Sequence, residues 1–578
     1  MAGPTAPKDP EKARPFFYIL KDKDIFGERQ KDGTGIQFIY ESDGRLINSA
    51  QITGNVTDKE ELTLLETVEG FGRLVHSIGV SVETDRPEET AEFVFQMYGK
   101  KDLYGGGTNL TTSLKCDGME HRIYLSDYRW TEDDHVPGQI KILFAAPERM
   151  GKVSVRLFLN DGYEAPPEEE DLVIDMHSEE YCGMISRSLL QLGNPYRIRK
   201  AIEKSKAGKE VTLAYIGGSI TQGAGAIPIH TECYAYKSFQ LFQNRFSTQN
   251  NVRFIKAGVG GTPSELGMIR FDRDVLREGE RPDIVVIEFA VNDEGDETKG
   301  VCYESLVRKV LKLPWKPAVV LLFSVFANDW NLQERLRPVG DLYDLPMVSI
   351  RDAVTQQFSL KCGEGRILSK NQFFYDIFHP NNTGHTIMAD CLQYLFERCD
   401  AAEPARVETF VEGMTEEQIL SEKLSGPAVI GADFERIFLL DKKNRYVGAK
   451  IRTGSFTSTD IELQSVEMDG SLTQTPEFPY NWMYDGSRPQ MPGFEMEITC
   501  KSLFLIFKDS GEMDVGKANV FVNDVYCMTA DPHKNNWLHC NAVLLFWETE
   551  SRSHKVRITV TEEDRNKKFT ILGFGYTI

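Results

Sequence analysis

The sequence predicts a multidomain fold, in which a central α/β/α unit with a parallel sheet is flanked by an N-terminal and a C-terminal β-sandwich. Three observations support this fold class. A chain of 578 residues exceeds the size of one ordinary domain. Both ends alternate apolar and polar residues at period two, which is typical of strands with one buried face. The middle alternates unbroken apolar runs with helical patterns, which is typical of parallel sheets covered on both faces.

Strand-like segments separated by Gly- and Asp-rich turns predict a jelly-roll-like N-terminal sandwich over residues 16–165. The Pro- and Glu-rich stretch EAPPEEED, at 164–171, is interpreted as the linker that follows. The period-two pattern returns over residues 425–578 and predicts a second sandwich. The segments concerned are GIQFIYES, AEFVFQMYG, GQIKILFAA and KVSVRLFLN in the first sandwich, and SLFLIF, NVFVN, HKVRITV and FTILGFGY in the second.

The central unit is predicted over residues 180–402. Its apolar runs include VTLAYI, DIVVIEFAV and AVVLLFSVF, and helical patterns such as CYAYKSFQLFQNRF lie between them. In open parallel sheets, ligands bind beyond the carboxyl ends of the strands. The residues that directly follow these runs are therefore the first place to look for chemistry.

The formal net charge of −21 argues against nucleic acid or an anionic membrane as a partner, because both are bound through Lys and Arg clusters. No apolar run reaches the roughly 18 residues that a membrane span needs. The first residues lack the apolar stretch of a secretory signal, so a cytoplasmic location is expected. The ten cysteines are scattered without metal-site spacing, and neither a metal nor another cofactor is expected.

A serine at a strand end and a downstream Asp–His pair are the first candidates for chemistry. VTLAYI ends in two glycines followed by Ser219, whose hydroxyl needs an adjacent base to act as a nucleophile. In DIFHP, Asp376 lies three residues before His379, where a carboxylate could hold the imidazole toward a serine. Each element also has a plain structural interpretation, with Ser219 as a helix N-cap and Asp376 as a cap beside a surface histidine.

Two further strand ends offer groups that could stabilise an oxyanion. GVGGTP follows the second strand of the central unit, and the backbone N–H of Gly261 could donate there. FAVND follows the third strand, and the side-chain amide of Asn292 could donate as well. Taken singly, Gly261 could be an ordinary turn glycine and Asn292 a residue that binds its own loop.

The ordered set of Ser, Gly, Asn and Asp-x-x-His resembles the SGNH hydrolase family, also called GDSL. The stretches that carry the resemblance are YIGGSITQG, AGVGGTPS, EFAVND and DIFHPNNTGH, within about residues 180–400. The resemblance implies Ser219 as the nucleophile and His379 as general base and then general acid. Asp376 would orient His379.

The resemblance also implies an oxyanion hole made of the N–H groups of Ser219 and Gly261 and the side chain of Asn292. The chain departs from the family pattern twice. The family's Gly-Asp-Ser is Gly-Gly-Ser here, and its Gly-x-Asn-Asp is Ala-Val-Asn-Asp. Neither departure removes a catalytic group. The neighbouring acidic residues are expected to order loops rather than to catalyse; these are Glu288, Asp293 and Glu294.

Aromatic and polar residues near the predicted site favour a sugar over a long acyl chain. Residues 326–346 should border the site, where Trp330 and Tyr343 could place their faces against a sugar ring. Trp330 could equally pack only against its own loop. The segment PYNWMYDGSRP, at 479–489, has a similar composition and is either a carbohydrate-binding loop or a long hairpin.

A β-sandwich before an SGNH domain is similar to the arrangement of carbohydrate esterase family two and of related gut-bacterial acetyl esterases. This resemblance implies a serine esterase of bacterial source that removes O-acetyl groups from plant oligo- or polysaccharides such as xylan or mannan. An acetylated carbohydrate is then the expected partner, and the oligomeric state stays open. The alternatives are a lipase- or thioesterase-type acyl hydrolase or an acetyltransferase with the same triad, and, from another class, a non-catalytic carbohydrate-binding protein.

Overall fold

The computed structural model describes residues 13–40, 44–103, 105–168, 170–277, 279–402, 416–467, 474–535 and 537–578. Within these ranges the predicted fold class is confirmed, because a mixed α/β region with a parallel sheet lies between two regions of antiparallel strands. No helix of the described ranges is long and apolar enough to cross a membrane.

The N-terminal region is built from nine strands and three helices. The strands are β1 (Phe16–Phe26), β2 (Glu28–Arg29), β3 (Gly35–Tyr40), β4 (Val75–Thr84), β5 (Thr90–Gly99), β6 (Asn109–Lys115), β7 (His121–Tyr124), β8 (Asp134–Phe144) and β9 (Met150–Leu159). The helices are α1 (Arg45–Thr53), α2 (Lys59–Leu64) and α3 (Val68–Leu74).

The nine strands form two antiparallel sheets, in the orders β1-β9-β4-β7 and β2-β3-β8-β5-β6. The two sheets share one hydrophobic core. In β4 the alternation is plain, because Val80 and Val82 are fully buried in this core and Ser81 between them is only half-buried. The period-two pattern of the sequence therefore corresponds to sheets with one face toward a shared core.

The central region contains six strands and most of the helices. The strands are β10 (Leu189–Gln191), β11 (Val211–Gly217), β12 (Val252–Gly258), β13 (Ile284–Glu288), β14 (Ala318–Phe323) and β15 (Met347–Ser349). The helices are α4 (Glu179–Ser186), α5 (Tyr196–Lys206), α6 (Ser219–Gln222), α7 (Ile229–Glu232), α8 (Tyr234–Phe246), α9 (Ser264–Phe271), α10 (Val301–Leu311), α11 (Gln333–Tyr343), α12 (Ile350–Phe358), α13 (Lys370–Phe373) and α14 (Asn382–Asp400), and a further helix follows at α15 (Glu416–Ser425).

The central strands form one sheet in the order β10-β15-β14-β13-β11-β12, parallel except for β10. Every residue of β11, β13 and β14 is buried, because helices cover both faces. Along β11, Leu213 and Tyr215 join the core on one face, and Ala214 and Ile216 join the core on the other. The strand order reverses between β11 and β13, and such a point is where ligands bind in doubly wound sheets.

The C-terminal region is all-β. Its strands are β16 (Phe438–Leu440), β17 (Ala449–Arg452), β18 (Ser465–Glu467), β19 (Gln474–Pro476), β20 (Trp482–Tyr484), β21 (Phe494–Asp509), β22 (Ala518–Val522), β23 (Val525–Ala530), β24 (His539–Val560) and β25 (Phe569–Thr577). Eight of these strands form one continuous antiparallel sheet. Its two long strands, β21 and β24, pair with each other along the whole of β21, and the register of this pairing shifts near Cys500.

The two halves of β21 have different neighbours and different burial. The first half pairs with β17 and alternates buried and more exposed residues. The second half pairs with β25 and is buried on both sides. There, Leu503 and Leu505 join the core of the C-terminal region, whereas Phe504 and Ile506 join the core beneath the central sheet. This half of the strand therefore packs the C-terminal region directly against the central one.

The hairpin of β18 and β19 belongs to the central sheet rather than to the C-terminal one. β18 pairs with the edge strand β12 in antiparallel direction, through Glu467 and Gly258. This contact lies at the carboxyl end of β12, directly before the Gly-rich turn that the sequence analysis singled out. The C-terminal region thus reaches the edge of the sheet at which the candidate site residues lie.

Candidate active site

The structure brings the candidate serine, histidine and aspartate into one hydrogen-bonded row. His379 Nε2 lies 3.0 Å from Ser219 Oγ, and His379 Nδ1 lies 2.9 and 3.0 Å from the two carboxylate oxygens of Asp376. β11 ends at Gly217 and α6 begins at Ser219, whereas the Asp–His pair lies between α13 and α14. In this geometry the serine hydroxyl can donate to Nε2 while the carboxylate accepts from Nδ1.

The carboxyl group of Asp376 is held in its ionised form. Burial by itself raises the pKa of this group. The charge and hydrogen bond of His379, the backbone N–H of Phe378 and the charge of Arg45 outweigh burial and lower the pKa to about 2. The carboxylate therefore carries a negative charge at any pH near neutrality, and it can stabilise a positive charge that develops on the imidazole.

Two glycines before the serine make room for Asn292. A Cβ on Gly218 would lie 2.2 Å from Asn292 Oδ1, and a Cβ on Gly217 would lie 2.2 Å from Thr221 Oγ1. Both distances are shorter than any real contact between such atoms, so neither position accepts a larger residue. The amide of Asn292 therefore lies directly against Gly218, the position at which the family pattern has aspartate.

The three candidate oxyanion donors lie on neighbouring strand ends. Asn292 packs against Gly218, next to Ser219, and Gly261 follows β12, the neighbour of β11. Gly261 has φ +68°, a left-handed conformation that glycine adopts without strain. Within the described ranges, the N–H groups of Ser219 and Gly261 make no hydrogen bond, so they remain free to bind a ligand oxygen.

Asp293 connects two of these strand ends. Its carboxylate accepts hydrogen bonds from the backbone N–H of Ser264, at 2.7 Å, and from the Ser264 hydroxyl, at 2.8 Å. Burial and the nearby Asp296 raise the pKa of Asp293 to about 8. Because Asp293 is the residue after Asn292 and Ser264 begins α9, this contact ties the Asn292 turn to the Gly-rich turn. The expected loop-ordering role of Asp293 agrees with these contacts.

Glu288 is a buried carboxyl group beneath the nucleophile turn. It is the last residue of β13, and one of its oxygens accepts a hydrogen bond from Thr221 Oγ1 at 3.1 Å. Burial raises the pKa of Glu288 to about 7, although hydrogen bonds and the charge of His379 oppose the rise. At neutral pH a substantial share of the molecules therefore carries an uncharged carboxyl here.

Comparison with known proteins identifies the central domain. The sequence profile of the GDSL-like Lipase/Acylhydrolase family matches residues 215–387, a stretch that includes every catalytic candidate. This domain belongs to the GDSL-like lipase/acylhydrolase family. The matched domain is accordingly of the SGNH ester-hydrolase type. No protein of curated function matches the sequence.

Solved structures agree with this fold. The chain is similar to a two-domain esterase described as active on acetylated mannans, with a TM-score of 0.54 and 23% identity over 68% of this chain and 98% of that one. The same esterase co-crystallised with mannopentaose gives a TM-score of 0.53 and 24% identity, with the same coverage. A family two carbohydrate esterase from Cellvibrio japonicus is 10% identical, and its TM-score of 0.24 is too low to support an argument.

Of the two aromatic residues predicted to border the site of the GDSL-like domain, one lies near it and the other lies in the core. Trp330 is half-buried and stacks on Phe326, which contacts Phe378 next to His379. It lies on the histidine side of the site. The prediction for Tyr343 is wrong. Tyr343 is 2% exposed, and its hydroxyl bonds Glu304 at 2.6 Å and Arg308 at 2.7 Å, so it is sealed in the core among charged partners.

The segment 479–489 is not a loop beside the GDSL-like site. Trp482 and Tyr484 form β20 and are 4% and 3% exposed, because they belong to the core of the C-terminal region. The residues that do reach the site from this region are Gln464, Trp537 and His539, all beside Gly260 and Gly261. Sequence reasoning missed them, since no periodic pattern or motif relates them to a turn more than 200 positions earlier.

A buried group of possible metal ligands lies behind α9 of the GDSL-like domain. Glu265, Asp296 and Cys302 have ligand atoms within 4.8 Å of one another. Burial and the adjacent Asp296 raise the pKa of Glu265 to about 10, so its carboxyl is protonated at neutral pH. Asp296 already accepts hydrogen bonds from Thr298 and Gly300. Both carboxylate oxygens of Asp296 are therefore already engaged in hydrogen bonds within their own loop.

Proposed function

We propose that the protein is a serine O-acetyl esterase that removes acetyl groups from acetylated oligo- or polysaccharides of the mannan or xylan type. The observation that carries the catalytic part is the position of His379, which lies within hydrogen-bond distance of both Ser219 and Asp376. The carbohydrate part is supported by exposed aromatic surface at the site and by the likeness to an esterase described as active on acetylated mannans.

In the first half of the reaction, Ser219 Oγ attacks the acetyl carbonyl carbon while His379 Nε2 takes the hydroxyl proton. The carbonyl oxygen becomes an oxyanion, which the N–H groups of Ser219 and Gly261 and the Asn292 amide stabilise. The C–O bond to the sugar then breaks, and the sugar oxygen leaves with the proton from His379. An acetyl-serine and a neutral imidazole remain, and Asp376 balances the positive charge of His379 while the tetrahedral intermediate exists.

In the second half, His379 takes a proton from a water molecule, whose oxygen attacks the acetyl-serine carbonyl. The same donors stabilise the second oxyanion. The bond between the acetyl group and Ser219 Oγ breaks, the serine regains its proton from His379, and acetic acid leaves and ionises to acetate in solution. The sequence of steps consumes one water per ester and needs no redox group.

Two aromatic residues favour a sugar as the alcohol part of the ester. Trp537 is 45% exposed, and its ring is so close to Gly261 that a Cβ on this glycine would lie 2.8 Å from Trp537 Cζ2. Trp330 lies on the opposite, histidine side. Flat aromatic faces with polar surroundings suit sugar rings. A mostly apolar cavity of about 200 Å³ lies instead at the amino end of β14, lined by Ala318 and Leu420 among others, and Ser219 is not part of its lining.

The test is acetate release from acetylated manno- and xylo-oligosaccharides, compared with a series of aryl esters of increasing acyl length. We expect acetate release from at least one oligosaccharide and an aryl-ester rate that falls beyond acetyl. A rate that rises with chain length would favour a lipid-type acyl hydrolase, and acetylated acceptor products would indicate acetyl transfer. Ser219→Ala should abolish turnover, by at least about 10⁴-fold, with an unchanged melting temperature. Residual turnover above this bound would refute the catalytic assignment.

A further inference from the structure

Gln464 of the C-terminal region holds the peptide bond that precedes Gly261. Its Nε2 donates to the carbonyl oxygen of Gly260 at 2.9 Å, and its Oε1 accepts from the backbone N–H of Cys540 at 2.9 Å. The side chain is 8% exposed. Because a carbonyl can only accept and a backbone N–H can only donate, these two contacts fix which end of the amide faces Gly260.

This peptide bond is the one whose N–H belongs to Gly261. The Gly260 carbonyl and the Gly261 N–H are two ends of the same planar amide, so a donor on the carbonyl also fixes the direction of the N–H. A hydrogen bond to the carbonyl further polarises the amide and strengthens its N–H as a donor. In a trans peptide the carbonyl and the N–H point in opposite directions, so the Gly261 N–H points away from Gln464, which holds the carbonyl. Gly260 is buried, whereas Gly261 is exposed.

His539 holds the next peptide bond of the same turn. Its Nε2 lies 3.1 Å from the carbonyl oxygen of Gly261, and this nitrogen must carry a proton because a carbonyl only accepts. The other ring nitrogen lies 3.1 Å from the amide nitrogen of Asn535, which is held by Asp509. The peptides on both sides of the Gly261 Cα are therefore fixed by side chains of the C-terminal region.

We propose that Gln464 is a positioning residue of the oxyanion hole, with His539 as its support, so that the C-terminal region completes the catalytic machinery. This proposal rests on the proposed esterase function, because it assigns a task to the Gly261 N–H. A purely structural role for Gln464 would contribute to folding and to substrate binding, but not selectively to the transition state. The two roles therefore differ in which kinetic constant they change.

The experiment uses the full chain and Gln464→Glu, with 4-nitrophenyl acetate as the substrate. Glutamate keeps the length and the acceptor for the Cys540 N–H, but its carboxylate cannot donate to Gly260. We expect kcat to fall about 10- to 100-fold, less than the 10²- to 10³-fold loss of a whole oxyanion donor, while KM changes less than about twofold. Affinity for methylboronic acid, which forms a tetrahedral adduct on the serine, should fall by a similar factor.

The control is Glu435→Gln, which removes ion pairs to Arg308 and Lys312 between the same two regions without touching the Gly-rich turn. It should leave kcat and boronate affinity unchanged. An unchanged kcat in Gln464→Glu, with or without a rise in KM, would overturn the positioning role. If this variant does not fold, Gln464→Met replaces it, and failure of both to fold would also overturn the role. Failure of the esterase proposal would appear separately, as turnover retained in Ser219→Ala.

Discussion

The two β-regions contact opposite sides of the active site. The N-terminal sandwich reaches the chain just before Asp376, where buried Lys23 bonds the carbonyl oxygens of Asn371 and Phe374. Tyr375 also packs against the core of that sandwich. The C-terminal region reaches the Gly-rich turn, where Gln464 and His539 bond backbone carbonyls. One region thus supports the acid–base side of the site and the other supports the oxyanion side.

The two supports differ in how directly they act on a reacting group. The contact of Lys23 ends at a carbonyl two residues before Asp376, and the aspartate's own position is set by local bonds from Phe378 and His379. The contact of Gln464 ends on the amide that carries a proposed donor. Similar interdomain hydrogen bonds can therefore differ in their effect on the rate of catalysis. The oxyanion side depends more on the C-terminal region than the acid–base side depends on the N-terminal sandwich.

After loss of the serine itself, removal of the side-chain donor on the oxyanion side should have the largest effect. Asn292→Ala should lower kcat by roughly 10²- to 10³-fold with little change in KM, because the amide would bind the oxyanion only in the transition state. Steady-state kinetics with an aryl acetate measure this. The matched control is Asn328→Ala, an exposed asparagine after the next strand. Equal losses in both variants, or no loss in Asn292→Ala, would contradict a donor role.

Glu288 lies between the two sides. Its substitution should change how the free energy of unfolding depends on pH. The pKa of Glu288 is about 7 in the folded protein and 4.5 when exposed, so the folded state keeps a proton that the unfolded state loses. The associated stability is fully present below pH 4.5 and is lost as the pH rises through 7. One pKa unit corresponds to about 1.36 kcal/mol, so the free energy of unfolding falls by about 3 kcal/mol over this range.

Glu288→Gln should remove this dependence, because a neutral amide does not titrate. Between pH 4.5 and pH 8.5 the free energy of unfolding of the variant should therefore fall by about 3 kcal/mol less than that of the wild type. Denaturant unfolding at both pH values measures this difference. The exposed Glu92→Gln serves as the reference. If the wild type and Glu288→Gln keep parallel stability curves over this range, the raised pKa is wrong.

On the acid–base side, the support from the N-terminal sandwich should be the weaker of the two supports. Lys23→Met keeps the length of the stem but leaves two carbonyl oxygens without this donor. We expect kcat to fall by about two- to tenfold through a small displacement of the Asp–His segment. Lys152→Met, an exposed lysine of the same sheet, should have no effect. A loss in Lys23→Met larger than that of Gln464→Glu would reverse the order of the two supports.

Much of the fold could be predicted because local patterns record it. The unbroken apolar runs of β11, β13 and β14 became strands that are buried on both faces, as such runs indicate. The positions after them carry Ser219 and Asn292, which the topology places on neighbouring strand ends. The Asp–His spacing also has a local cause, since three residues separate the two side chains and one turn suffices to join them.

The unpredicted parts depend on contacts between distant positions. Gln464 and Gly260 are 204 positions apart, and His539 and Gly261 are 278 apart, so no window of sequence contains either pair. The prediction that Tyr343 borders the site is wrong for a related reason. Its aromatic-polar surroundings suggested a cleft, but its polar partners, Glu304 and Arg308, approach from another helix and satisfy its hydroxyl within the core.

The hairpin β18–β19 also has a consequence for how the chain matures. An uncovered edge of a sheet is a template for pairing with other chains, and β18 shields the carboxyl end of β12 from such encounters. This shield, like Gln464 and His539, comes from a part of the chain that is synthesised after the central region. A nascent chain that has folded only through α14 already holds its serine, histidine and aspartate. We expect hydrolysis to reach its full rate only when the β18–β19 hairpin and the start of β24 have closed over that edge.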